Sequence, residues 1–457
     1  MDENLLSVGI DVGTSTTQLV ASRLQVVNRA GAFSVPDLDI GQREILYQSS
    51  IHFTPLRSPT ELDAEGIRQI VAEEYQRADL QPEKVSTGAI IITGETARKE
   101  NARAVLDSLK EFAGRFVVAT AGPDLESVLA AKGAGAERFS RATGKTVLHM
   151  DIGGGTSNLA LIEDGRITAT ACLNVGGRLI RLENGRVQAV SPVLRSLCDL
   201  RPGDRAGEAE LEPVIRRLVH ALEMAAGLRD GKIPPDLLTN RLLRLPAGPL
   251  TLSFSGGVAD LIDSEPEHPF VYGDIGPLLG RAIRESLLCH GDYMLGEETI
   301  RATVIGAGCY STQLSGSTVY ARDMEFPLQN LPVLALTSQE QDAPAADLGQ
   351  RLSDLGRLWE EGPKVVYLPG LQAPGFEAVS ELAQRLAQAL RVLPEPHVVV
   401  SGTDMAKALG QALATRMSGP LLCLDSLGLP SESFLDVGAP VSGGAAYPVV
   451  KKTLILA

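Results

Sequence analysis

Apolar residues along this 457-residue chain gather in short aliphatic runs separated by glycine-rich or acid-and-hydroxyl loops. Uninterrupted runs such as GAIIITG (88–94) predict strands buried on both faces. Strands at about 6–12 and 17–27 form a first hairpin, and EILYQSSIHFTPL (44–56) is strand-like. Residues 63–78 change period: Ile67, Ile70, Val71 and Tyr75 share one helical face. TARKENARAVLDSLKEF (96–112) is amphipathic in the same way, and RFVVATAG (115–122) reads as a strand. Asp164-Gly165 and Asn184-Gly185 mark two tight hairpins. LEPVIRRLVHALEMAAGL (211–228) is a helix with Val214, Ile215, Leu218, Val219 and Leu222 inward.

Beyond QEQDAPAAD (339–347), a loop or linker, the alternation resumes. KVVYLPG and HVVVSG predict strands, 376–391 a helix, and Ala406, Leu409 and Leu413 the inner face of another. A β-rich tail follows, in which Gly443-Gly444 serves a turn, since no acid-plus-hydroxyl loop accompanies it. Hydrophobic residues make up 44% and aromatics only 4%, with 46 glycines and 27 prolines, which suits an α/β protein of aliphatic strands and tight turns.

Net charge of −14 disfavours non-specific nucleic-acid binding, which needs a basic surface. No apolar run nears the ~18 residues of a membrane span, and the acidic start MDENLLSVGIDVGTS lacks a signal-peptide charge pattern. Neither nucleic acid nor membrane is expected as a partner. Cys172, Cys198, Cys289, Cys309 and Cys423 are scattered singly, so neither a disulfide framework nor a zinc site is indicated. His149, on a buried strand, reads as a satisfied core histidine.

One stretch, HMDIGGGTSNLALI (149–162), carries chemistry. Gly153, Gly154 and Gly155 could form a loose turn, or could turn their N–H groups onto a phosphate with no Cβ in the way. Asp151 would then repel that phosphate by about 4 kcal/mol at ~4 Å and an effective dielectric near 20. A cation between them is therefore required, and Mg²⁺ suits one or two carboxylates, waters and phosphate oxygens. The same grammar recurs in LLSVGIDVGTSTTQLVASRL near the start: strand, Asp-x-Gly, hydroxyls, strand. Asp11 corresponds to Asp151, Gly13 to Gly153, and Thr14, Ser15 and Thr16 to Thr156 and its neighbour. Two such hairpins predict two similar lobes facing one polyphosphate, their aspartates approaching one Mg²⁺ from opposite sides.

This arrangement resembles the actin-like ATPase superfamily. The resemblance implies duplicated ribonuclease-H-like lobes and three further segments, each with a match. TAGPDLESVLAAKGAGA (120–136) fits a connecting helix, with Gly133 and Gly135 packing closely and Glu126 or Asp124 orienting the attacking water. LTLSFSGGVADLI (250–262) fits a nucleoside loop in which Gly256 and Gly257 approach adenosine. IRATVIGAGCYSTQLSG (300–316) fits the last connecting segment, where Gly306 would also approach adenosine. The expected organisation is lobe I over 1–140, lobe II over 141–325 with an inserted subdomain over 178–250, and an appended C-terminal α/β domain over 326–457. Asn158 departs from the acid that chaperone ATPases often carry there, and no peptide-binding sandwich follows the core.

STGAIIITGETARKENAR, ACLNVGGRL, DIGPLL, RATVIGAG and the tail FLDVGAPVSGGAAYPV resemble more narrowly the reactivating proteins for ethanolamine ammonia-lyase of bacterial ethanolamine-utilisation systems. That resemblance covers nearly the whole chain. It implies a cytoplasmic, ATP- and Mg²⁺-dependent factor that frees an adenosylcobalamin enzyme of damaged cofactor. It leaves open a homodimer and association with a bacterial microcompartment. A small-molecule kinase on the same fold, a filament-forming or tethered scaffold, and a nucleotide switch without hydrolysis are the alternatives. TGETARKENAR (93–103) reads as a capped, solvated surface helix.

Overall fold

The aliphatic runs become strands wherever they can be covered on both sides. This is seen in a computed structural model that describes residues 3–28, 38–58, 61–93, 101–109, 112, 118–120, 123–264, 266–310, 312–315, 318–357, 359, 362–372, 375–425, 427–429 and 433–453. β1 (Glu3–Val12) runs antiparallel to β2 (Thr16–Asn28), which pairs with β3 (Leu38–Gln48). On the other side of β1, β4 (Thr87–Ile92) and then β5 (Val118–Thr120) are parallel, giving the order β3-β2-β1-β4-β5. Every residue of β4 is buried, as a helix-covered parallel strand requires. Helix α1 (Ala64–Arg77) supplies Ile67, Val71 and Tyr75 to this core, and α2 (Ala102–Leu109) supplies Val105, Leu106 and Leu109. Ile70 is only half-buried. The strand-like stretch after β3 is broken at Ser49, whose backbone N–H and side-chain oxygen both bond Leu19, and it re-pairs as the two-residue strand His52–Phe53 against β2. Residues 94–100 of the TGETARKENAR segment lie outside the described residues.

The topology then repeats. β6 (Val147–Ile152), β7 (Ser157–Glu163), β8 (Arg166–Leu173), β9 (Thr251–Ser255) and β10 (Tyr293–Leu295) form a sheet of order β8-β7-β6-β9-β10 with the same sense of pairing. Between β8 and β9 stand a hairpin (Ile180–Glu183 with Arg186–Val190) and α4 (Glu208–Ala225). The five predicted inward residues of α4 are all buried, in one core with Ile180, Leu182 and Val187. The chain thus has the duplicated two-lobed actin-like architecture.

An eight-stranded sheet completes the fold. Its centre is parallel: β11 (Leu328–Ala335), β12 (Val365–Leu368), β13 (His397–Ser401) and β14 (Leu421–Leu424). The helices Ala345–Gly356, Phe376–Ala389 and Ala406–Ala414 cover one face, with Leu409 and Leu413 fully buried. Val441 and Ala446 of the tail join Leu5, Leu24, Val26 and Ile40, tying this domain to lobe I. Between them Gly443 and Gly444 make a turn at φ 69° and 91°. The five cysteines are free thiols, and no described helix is long and apolar enough to cross a membrane.

Candidate functional site

Asp11 and Asp151 are the last residues but one of β1 and β6, so each carboxylate sits at the carboxyl edge of its sheet, where the following loop turns. The two loops close alike: the Gly13 N–H donates to the Thr16 carbonyl at 2.9 Å, and the Gly153 N–H to the Thr156 carbonyl at 2.9 Å. Each acid also receives a hydroxyl from its parallel neighbour. Thr93, just past β4, donates to Asp11 at 2.9 Å, and Ser255, at the end of β9, donates to Asp151. Thr303 adds a second hydroxyl to Asp151. The lobes meet directly here, since a Cβ on Gly154 would overlap the Ser15 hydroxyl.

Between the loops lies a cleft of about 430 Å³. It is lined by Asp11, Gly13, Thr14, Ser15 and Thr16 of lobe I and by Asp151, Gly153, Gly154, Gly155, Thr156, Gly256 and Gly257 of lobe II, with Glu126 from the connecting helix α3 (Pro123–Gly133). Gly256 has φ 87°, and a side chain there would strike the Ile152 carbonyl. Gly257 opens onto the cleft beside Ile300.

Burial dominates the electrostatics. It pushes the Asp11 carboxyl up to about 7, opposed by the Thr93 bond and aided by the charge of Asp151. It pushes Asp151 up to about 6, opposed by the Ser255 and Thr303 bonds. Behind Asp151, fully buried His149 bonds Ser253 through Nδ1 at 3.0 Å and Ser255 through Nε2 at 2.9 Å. Because Ser255 gives its proton to Asp151, it must accept one from His149, so Nε2 carries the hydrogen and Nδ1 accepts from Ser253. Desolvation holds this imidazole neutral, down to about 3. It is the satisfied core histidine the sequence indicated.

Two expected residues fall outside the cleft. The Asp124 carboxylate is taken by Arg241 at 3.0 Å and by the Thr170 hydroxyl, leaving Glu126 as the acid that faces the site. Gly306 does not line the cleft either. A Cβ there would overlap the Leu129 carbonyl, as one on Gly133 would overlap that of Ala302. Gly306 and Gly133 therefore let two connecting helices cross, and a glycine at 306 serves packing rather than adenosine. Gly135 is a turn residue at φ 79°.

Sequence reasoning missed Thr93, Ser255 and Thr303, whose hydroxyls reach the two acids, and it missed Gln18, Arg178 and Asp274, which also line the cleft. The duplication could have found the first two, since each closes the strand parallel to an aspartate strand.

The site fits a magnesium polyphosphate on its own donors. The Ser15 hydroxyl, the Gln18 amide oxygen and the Asn158 amide oxygen are buried without hydrogen-bond partners, and all three belong to the hairpins that carry the aspartates. Among the described residues no three His, Cys, Asp or Glu side chains are grouped to cage a metal. That donor set, two carboxylates with waters and phosphate oxygens, is the kind Mg²⁺ favours.

Comparison with known proteins adds the family. The chain is 40% identical to the ethanolamine ammonia-lyase reactivase EutA of Escherichia coli K12 and 38% identical to that of Salmonella typhimurium LT2, over 98% of this chain and of each relative. Among solved structures, the Ppx/GppA phosphatase of Aquifex aeolicus is 14% identical with a TM-score of 0.38, covering 66% of this chain and 99% of that one. The family profile described as ethanolamine utilisation protein EutA matches residues 3–457, and the chain belongs to that family.

Proposed function

We propose that this protein is an ATP-driven reactivase of ethanolamine ammonia-lyase, which frees the lyase of damaged cobalamin so that intact adenosylcobalamin can bind. The observation that carries the nucleotide part is the pair of aspartates, Asp11 and Asp151, at equivalent positions in two lobes that share one cleft. The client part rests on membership of the EutA family and on the names of its curated relatives.

In this reading the N–H groups and hydroxyls of residues 13–16 and 153–156 hold the phosphates from both sides. Asp11 and Asp151 hold Mg²⁺, kept in orientation by Thr93, Ser255 and Thr303. The metal would neutralise charge on the phosphates, the larger part of phosphoryl-transfer catalysis. Glu126 orients the attacking water, and Gly256 and Gly257 let the backbone approach the nucleoside. Binding across the cleft favours a closed arrangement of the lobes, and hydrolysis releases it. The client responds by the difference in its affinity for the two states.

The test uses ethanolamine ammonia-lyase blocked with cyanocobalamin. The full chain is added with Mg²⁺ and adenosylcobalamin, with and without ATP, and return of deaminase activity is followed. Recovery that needs ATP and vanishes in Asp151→Ala supports the reading. ATP hydrolysis without recovery assigns the client elsewhere.

A further inference from the structure

The cleft is rich in acid. Asp11, Glu126, Asp151, Asp260 and Asp274 all line it, and among the described lining residues Arg178 is the single cation. Its backbone is locked to the second glycine loop: the Arg178 N–H donates to the Gly154 carbonyl at 2.6 Å, and the Gly177 N–H to that of Gly153 at 3.0 Å. A side chain on Gly176 would overlap the Gly154 carbonyl, so NVGGR lies flat against the loop. From this anchor the guanidinium crosses to lobe I, where it rests over the Phe53 ring, 5.0 Å from the centroid. Phe53 is itself bound to the first loop, since the next residue, Thr54, donates its N–H to the Ser15 carbonyl at 3.0 Å and its hydroxyl to that of Gly13 at 2.8 Å. Arg178 thus touches the surroundings of both loops.

Among the described residues the guanidinium makes one long ion pair and no hydrogen bond. The nearest carboxylate oxygen, on Asp274, is 3.8 Å away, too far for a hydrogen bond, while Asp274 takes the Gly276 N–H at 2.9 Å. The side chain is three-quarters buried, at 25% exposure. A guanidinium desolvated to that extent, with an unfilled fork of N–H groups, is suited to a bidentate anion.

We propose that Arg178 contacts the terminal phosphate of a bound nucleoside triphosphate and lets the cleft distinguish triphosphate from diphosphate. The inference rests on the nucleotide reading above. The Phe53 stack holds the side chain across the lobes until that phosphate draws the fork onto itself.

The test is calorimetric titration of the full chain with Mg²⁺ and either AMP-PNP or ADP, for wild type, Arg178→Ala and Arg178→Lys, with thermal melting to verify folding. Arg178→Ala should weaken AMP-PNP binding by about tenfold or more and ADP binding by less than about threefold. Arg178→Lys, which keeps charge without the fork, should fall between, and it decides the matter should the alanine variant not fold. Equal weakening toward both nucleotides, or none, overturns the role of Arg178. A wild type that binds neither nucleotide removes the underlying reading instead, so the two failures are distinct.

Discussion

Asp11 and Asp151 occupy the same place in two copies of one sheet, and each faces an amide across its hairpin, Gln18 opposite Asp11 and Asn158 opposite Asp151. Each also takes a hydroxyl from the strand parallel to its own. Among the described residues neither acid has a cationic partner, and the charge of Asp151 adds to the cost of ionising Asp11. In the reading proposed above these two carboxylates hold the metal. Asp11→Asn and Asp151→Asn should each lower Mg²⁺-dependent phosphate release from ATP by about 10²-fold or more. A variant that hydrolyses ATP at the wild-type rate in malachite-green assays would remove that aspartate from the metal site.

The same two acids set a pH dependence of stability in the nucleotide-free protein. Asp11 keeps its proton in the fold up to about 7 but loses it near 3.8 when unfolded. The folded state therefore binds more protons between those values, and stability falls as pH rises through them. Asp151 acts in the same direction up to about 6. His149 acts oppositely, since its pKa drops from 6.5 to about 3, and its contribution is lost as pH falls through that window. Between about pH 5 and pH 7 the two aspartates together outweigh His149, so urea-unfolding stability should decline toward pH 7, and this decline should be lost in Asp11→Asn. Identical slopes for the two proteins would show that Asp11 does not hold the proton.

Glu126 and Asp124 stand two residues apart on α3 and should behave differently. Glu126→Gln should slow hydrolysis by about 10²-fold while leaving nucleotide affinity nearly unchanged, as for loss of a group that positions water. Asp124→Asn keeps the oxygen that accepts from Arg241 and Thr170 but removes its charge, and should cost about 1 kcal/mol of stability with little effect on the chemical step. Rapid-quench kinetics and denaturant titration separate the two. A slow chemical step in Asp124→Asn at normal stability would return the role to Asp124.

What the sequence made legible was whatever repeats or whatever is periodic. The two Asp-x-Gly hairpins match because their order of residue types is the same, and the α4 face is visible because Val214, Ile215, Leu218, Val219 and Leu222 keep helical spacing. Arg178 was hidden because nothing local distinguishes it. Its meaning comes from Gly154 and Phe53, which are distant in sequence and adjacent only after folding. Asp124 and Glu126 were equivalent in sequence because both lie in the first turn of α3, and only the reach of Arg241 separates them. Gly306 is ambiguous in sequence because a glycine that admits a ligand and one that admits a helix look alike until the neighbouring atom is known.

Gly306 lies against the Leu129 carbonyl and Gly133 against the Ala302 carbonyl, so the helix pair is held at a separation that only glycine permits. Backbone atoms cannot move aside as a flexible side chain can. Gly306→Ala should therefore force the connecting helices apart and cost about 1–3 kcal/mol, despite the better helix propensity of alanine. Gly257→Ala, whose Cβ would meet only Ile300 at 3.5 Å, should leave stability within about 0.5 kcal/mol and act on nucleotide affinity instead. Denaturant midpoints and nucleotide titrations of both variants separate packing from binding. If Gly306→Ala kept full stability and lost nucleotide affinity alone, residue 306 would belong to the nucleoside site after all.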